Sequence, residues 1–247
     1  MTNTISIRAN GLTKKFGTFV ATDHITFEVY AGEIFGFLGA NGAGKTTAMR
    51  MLCGLLEPTS GEASVAGYDV YREAESIKKN IGYMSQKFSL YEDLTIQENI
   101  RFFGGIYGLS YEGIRQKGNQ LLADLGLQSK AKALVGDLPL GWKQKLAFSV
   151  AVLHDPKIVF LDEPTGGVDP VTRRQFWDLI YQAAARGVTI FVTTHYMDEA
   201  EYCDRVSVMV DGRMDALDSP QNLKEQFGVN SIEEVFYRLA RGAQRAD

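Results

Sequence analysis

The segment GANGAGKTT, Gly39 to Thr47, sets glycines, a lysine and two threonines at fixed spacing directly after an apolar run. From Gly39 to Thr46 it reads Gly-x-x-x-x-Gly-Lys-Thr, a pattern whose glycines let backbone N–H groups curl around phosphate oxygens with no Cβ in the way. Asn41, Gly42, Ala43, Gly44, Lys45, Thr46 and Thr47 are the residues expected to touch the phosphates. Lys45 is suited to bridge the outer two, the Thr46 hydroxyl to ligate Mg²⁺, and the helix that follows to add its dipole. Two adjacent carboxylates, Asp162 and Glu163, end the apolar run IVFLDEP. Successive strand residues point to opposite faces, so the pair divides its work. Asp162 is suited to hold magnesium through water, and Glu163 to act as general base on an attacking water. His195 ends a third apolar run, where a neutral imidazole could donate to a phosphate oxygen. Gln86 ends a fourth, NIGYMSQ, where its amide could reach the metal or the water. The other two histidines, His24 and His154, sit in no comparable setting.

A second stretch, LPLGWKQKLAF from Leu138 to Phe148, opens like a helix start. Yet it carries Lys143 and Lys145 in its first turns, where the helix dipole favours acid. Its reading is that the anion faced by this helix belongs to another molecule.

These residues need a scaffold that brings several strand ends together. ISIRANGL and HITFEVY alternate like strands, and EIFGFLG, NIGYMSQ, KIVFLDEP, GVTIFVTTH and RVSVMVDG are short buried strands that end in polar residues. Helical patterns such as GKTTAMRMLCGLL and PVTRRQFWDLIYQAAARG lie between them. That order predicts an α/β fold with a mostly parallel sheet. From about Phe88 to Pro156 only helical patterns appear, which predicts an inserted helical unit over 88–155 within a core of 1–87 and 156–220. The tail, 221–247, contains SIEEVFYRLARG, where Ser231 and Glu234 have capping-box spacing.

The chain has 247 residues, 45% of them hydrophobic, and a formal charge of −4. That balance gives no push toward nucleic acid. Two cysteines, Cys53 and Cys203, are too few for a disulfide framework and suit a reducing compartment. The first residues lack the apolar stretch of a secretory signal, and no run approaches the roughly 18 apolar residues of a membrane span. A peripheral protein on the cytoplasmic face of a membrane, bound to one that crosses it, is compatible with this.

Together these motifs resemble the ATP-binding subunits of ABC transporters over nearly the whole chain. GANGAGKTT is similar to that family's phosphate loop, Gln86 to its Q-loop, IVFLDEP to its Walker B strand and catalytic glutamate, and His195 to its switch histidine. GGVD resembles the D-loop, with Asp169 as the residue expected to reach across a dimer. Phe16, in KKFG, stands where an aromatic ring stacks on adenine. The resemblance implies a RecA-like P-loop NTPase core, an antiparallel β-layer and a helical subdomain. It also implies two subunits closing head-to-tail on two Mg-ATP, each nucleotide held by one phosphate loop and the partner's signature helix. The tail is similar to that of ATPases serving multidrug and polysaccharide-type exporters, whose membrane protein is separately encoded.

The family's usual Leu-Ser-Gly-Gly-Gln signature aligns with Leu138, Pro139, Leu140, Gly141 and Trp142. Pro139 offers neither hydroxyl nor backbone N–H, and loss of one charge-assisted hydrogen bond costs about 1.5–3 kcal/mol. Either Gly141, Trp142 and Lys143 compensate, or the chain is the weak half of an asymmetric pair. A soluble ABC ATPase acting on ribosomes or DNA is the alternative of another class, but those usually carry two ATPase domains or a long coiled coil, and neither pattern shows in these 247 residues. A regulatory module without turnover is disfavoured by Glu163.

Overall fold

The computed structural model describes residues 4–86 and 90–242. β1 (Ile5–Phe16) and β2 (Phe19–Tyr30) form a long antiparallel hairpin that turns at Gly17 and Thr18, Gly17 taking φ 59°. β3 (Ile34–Gly39) is buried at every position and runs into the loop before α1 (Lys45–Leu52). β4 (Ser60–Val65) and β5 (Tyr68–Asp69) complete a four-stranded antiparallel sheet in the order β2-β1-β4-β5. Neither β4 nor β5 shows in the apolar pattern, because SGEASV is half polar and one of its faces is open to solvent.

α2 (Ala74–Asn80) leads to β6 (Ile81–Met84), after which come α3 (Ile96–Ile106), α4 (Tyr111–Asp124) and α5 (Leu140–Ala151). Thr95 and Glu98 close a full capping box on α3. The described residues from 90 to 156 hold these three helices, two 3₁₀ turns and one isolated bridge, Thr95 to Leu134. The start of the insert, expected near Phe88, lies outside the described residues. Gly118, which weakens the helical pattern of α4, is a packing position instead: a Cβ there would stand 2.9 Å from Ile100 on α3.

β7 (Ile158–Asp162), α6 (Pro170–Ala185), β8 (Thr189–Thr194), α7 (Met197–Ala200), β9 (Arg205–Val210) and β10 (Arg213–Asp218) follow. The second sheet has six strands in the order β10-β9-β3-β8-β7-β6, all parallel except the β10–β9 pair. β10 was not expected from the sequence; its only strand neighbour in that sheet is β9, and RMDALD is partly exposed. The tail forms α8 (Pro220–Phe227) and α9 (Ile232–Gly242), and Leu223, Ile232 and Val235 pack with Leu38, Val206 and Val208 of the core. Ser231 accepts from the Glu234 N–H at 3.2 Å, while Glu234 accepts from the N–H of Asn230 at 3.3 Å, one residue earlier than the expected box.

A phenylalanine cluster joins the two sheets. Phe27 of the antiparallel layer stacks on Phe35 at 5.6 Å between ring centroids, and Phe191 lies 5.3 Å from both Phe37 and Phe160. All five rings are buried, and each is worth roughly 1.5–3 kcal/mol in apolar area removed from water. This locks the parallel strands whose C-terminal ends carry the polar residues. β3 aligns Leu38 with Thr194 of β8, β8 aligns Thr193 with Asp162 of β7, and β7 aligns Leu161 with Met84 of β6. Four strand ends therefore open on one edge, the usual place for a ligand in a parallel sheet.

Candidate functional site

The loop Ala40–Gly44 owes its shape to two glycines. Gly42 and Gly44 take φ 82° and 102°, a region that side chains rarely adopt. A Cβ on Gly44 would sit 2.2 Å from the Ala21 carbonyl oxygen, and one on Gly39 would sit 2.6 Å from that of Met209. The loop is thus pressed against β2 and β9 and cannot thicken. Ala43 is buried, with its carbonyl accepting from the Gly212 N–H at 3.0 Å, whereas Asn41 and Gly42 are exposed. The first turn of α1 has no acidic residue and no side-chain cap, which leaves its N-terminus to an external anion.

Lys45 is 4% exposed and folds back over this loop, donating to the carbonyls of Gly39 at 2.8 Å and Ala40 at 3.0 Å. Its ammonium also lies 3.3 Å from Glu163. Burial pulls the Lys45 pKa down, while Glu163 and Asp162 pull it back up. Thr46 donates to Asp162 at 3.0 Å, and Thr193 donates to the same oxygen at 2.6 Å. Burial raises the pKa of Asp162 against those two hydrogen bonds. Thr47, the last residue expected to touch phosphate, is half-buried on α1.

Glu163 takes φ 49°, held there by its N–H donating to both the carbonyl and the hydroxyl of Thr193, each at 3.1 Å. That turn reverses its side chain toward the sheet edge, where Oε2 accepts from Gln86 at 3.0 Å and lies 3.0 Å from His195 Nδ1. The structure therefore brings Lys45, Thr46, Gln86, Asp162, Glu163 and His195 into one contact network. A carboxylate oxygen accepts only, so the proton of the His195 ring sits on Nδ1. A neutral ring so bonded presents a lone pair on Nε2. Donation to phosphate from that nitrogen, as expected from the sequence, then requires the ring to turn from Glu163.

A cleft of about 360 Å³ runs from this network to α5, and its walls include Gln86, Glu163, His195, Leu140 and Gln144. Gln144 donates to the Gly166 carbonyl at 3.1 Å, tying α5 to the loop after Glu163. The lysines of α5 do not face forward. Lys143 donates to Glu92 at 2.6 Å, and Lys145 donates to Gln175 at 2.5 Å with its ammonium 5.0 Å from the Trp142 ring centroid. Lys143 thus forms an ion pair with Glu92 inside the chain. Pro139 is the N-cap without a side-chain bond, and its carbonyl takes the N–H groups of Trp142 and Lys143. Gly141 is fixed by packing, since a Cβ there would meet the Thr172 methyl of α6 at 2.2 Å.

Two residues stand apart from the network. Asp169 caps α6, accepting from the N–H groups of Val171 and Thr172, and these bonds with the Thr172 hydroxyl hold its pKa down. Phe16 lies at the hairpin tip, 50% exposed, with the Lys14 ammonium 5.3 Å from its ring centroid; it is no core phenylalanine. Thr193, Gln144, Thr165 and Glu199 were missed. The consecutive threonines of VTTH, polar yet inside an otherwise apolar strand, were the available signal for the first.

Residues 22–166 match the family model described as ABC transporter. Over 238 residues the chain is 52% identical to the probable multidrug ABC transporter ATP-binding protein YbhF of Escherichia coli, covering 94% of this chain and 41% of that protein. It is 39% identical to the Nod factor export ATP-binding protein I of a Rhizobium species, covering 94% of this chain and 77% of that one. A solved ATP binding subunit of an ABC transporter superposes with a TM-score of 0.85 at 29% identity, covering 94% and 98%. A dimeric ATP-binding cassette in a post-hydrolysis state with ADP and Pi gives 0.77 at 25% identity, covering 86% and 98%. The chain thus spans well under half of its 52%-identical relative.

Proposed function

The chain belongs to the ABC transporter family, as an ATP-binding domain, and from that premise we propose that it hydrolyses ATP to drive a separately encoded membrane exporter. The observation that carries the reading is the set of bonds on Glu163, whose two carboxylate oxygens are oriented by Lys45, Gln86 and His195. A general base has to be aimed before it is useful, and this one is aimed from three sides.

Asn41 to Thr47 hold the phosphates, with Lys45 exchanging its contact to Glu163 for a γ-phosphate oxygen. Glu163, so released, takes the proton of the water that attacks phosphorus, and Gln86 and His195 orient the carboxylate and that water. Phe16 offers its exposed ring to adenine. Among the described residues no three His, Cys, Asp or Glu side chains cluster as a metal cage. The Thr46 hydroxyl and Asp162 carboxylate fit Mg²⁺, which enters with the nucleotide and needs only one or two protein oxygens. Gln86, bonded to Glu163, is the further residue proposed to reach the ion. Bound there, the ion neutralises charge that develops on the transferring phosphoryl group.

A second ATP-binding subunit, identical or not, completes the site with its α5 N-terminus around Gly141 and with Asp169. No helix among the described residues is long and apolar enough to cross a membrane. The partner that crosses it, with the chain docked on its cytoplasmic face, supplies the transport path. Steady-state hydrolysis tests the reading: the parent turns over Mg-ATP, and Glu163→Gln lowers kcat by about 10²–10⁴-fold while still binding ATP. Equal rates in the two proteins would remove Glu163 from the role.

A further inference from the structure

Behind the catalytic carboxylate lies a second acidic side chain that the proposed hydrolysis does not use. Glu199, on α7, is fully buried. One oxygen accepts the hydroxyl of Thr194, the residue before His195, at 2.5 Å. The other accepts the hydroxyl of Thr165, two residues after Glu163. Both threonines are themselves fully buried. The Thr194 hydroxyl also receives the Tyr196 N–H at 2.9 Å, so it grips the chain on both sides of His195. Arg173 of α6 adds a third tie. Its Nε is 3.7 Å from Glu199, its Nη1 donates to Asp198 at 3.0 Å, and its guanidinium lies 4.2 Å from the Tyr196 ring centroid.

We infer that Glu199 is a positioning residue that clamps the Glu163 loop to the His195 loop and so sets the contact between those two side chains. The two loops leave different strands, β7 and β8, and beyond the Thr193 bonds their register depends on what joins them. A buried carboxylate is costly, and burial pushes the Glu199 pKa up. An aliphatic residue would pack there at less cost but would leave both hydroxyl protons without the acceptor they now have. Arg173 extends the clamp to α6, the helix that Asp169 caps, through its contacts with Glu199 and Tyr196.

This inference rests on the hydrolytic role of Glu163 and His195, and its test keeps the two separable. The chain has three histidines, so isotope labelling of histidine resolves each imidazole by NMR. The substitutions are Glu199→Gln, which keeps shape and one acceptor oxygen, and Thr165→Val paired with Thr194→Val, which leave the carboxylate in place. Each is expected to move the His195 resonance while those of His24 and His154 stay. The kcat falls by about tenfold, the scale of one lost hydrogen bond, with the KM for ATP within about twofold. Glu199→Gln falls between the parent and the double threonine variant. An unmoved His195 resonance with parental kcat overturns the proposal. So does a shift of all three histidines with a raised KM, which marks a merely structural role. A parent that fails to turn over ATP contradicts the hydrolytic reading instead, while the resonance still reports the clamp.

Discussion

Asp162 shows how a single carboxylate is held at a cost to the fold for the sake of its chemistry. It is 1% exposed, and burial raises its pKa above the ordinary value of 3.8. A carboxylate whose pKa is raised by folding contributes stability that is complete below the unfolded value and lost as pH rises through the folded one. At neutral pH the ionised group therefore destabilises the ligand-free protein. Asp162→Asn keeps an oxygen for Thr46 and Thr193 but removes the charge, so its melting temperature at pH 7 should exceed that of the parent. The gap should close as pH falls toward the ordinary carboxylate range, and Mg-dependent hydrolysis should be lost. Calorimetry across pH checks the first part. Gly44 makes the opposite point, that a residue with no side chain can be the critical one. Gly44→Ala forces a Cβ to 2.2 Å from the Ala21 carbonyl at φ 102°, so the loop must shift. A displacement of about 1 Å there is expected to weaken ATP binding by roughly 10²-fold, measured by titration with a fluorescent nucleotide.

The strands that end in chemistry were legible because they are buried on both faces and read as unbroken apolar runs: β3, β7, β8 and β9 all show in the sequence. β4, β5 and β10 did not, since a strand with one solvent face and a polar half looks like a loop. The same limit applies at the site. Gln86, Asp162, Glu163 and His195 stand at or just past strand ends and Lys45 and Thr46 open α1 after the glycine loop, all where spacing reveals them, whereas Glu199 sits on a four-residue helix, and only the folded chain turns it inward. What spacing on α5 does not show is that its two lysines have internal contacts, Lys143 with Glu92 and Lys145 with Gln175 and the Trp142 ring. What α5 does offer is proximity to α6. Gly141→Ala should push the Thr172 methyl aside and break its hydroxyl bond to Asp169, now 2.6 Å. We expect kcat to drop by about tenfold with ATP affinity unchanged, because the phosphate loop lies on other elements. A stopped-assay comparison of kcat and KM decides it.

At the scale of the molecule, two sheets sealed by one phenylalanine cluster hold the strand ends still, and the helical insert lies between the end of β6, just before Gln86, and the start of β7 at Ile158. Gln86 is bonded to Glu163, so the segment that leaves β6 toward the insert is tied to the proposed general base. Leu140, Trp142 and Val171 are exposed at the starts of α5 and α6, the surface on which the proposed second subunit would sit. The solved dimer that this chain resembles captures such a pair after hydrolysis. The central claim, that the chain binds ATP and closes on a second copy of an ATP-binding subunit, is tested most directly by the solution mass of purified Glu163→Gln with and without Mg-ATP. The account predicts a monomer without nucleotide and a dimer with it, since the nucleotide is bound and not consumed. A protein that stays monomeric at saturating Mg-ATP would contradict closure through its own Leu138–Trp142 segment, and one that binds no ATP would contradict the site itself.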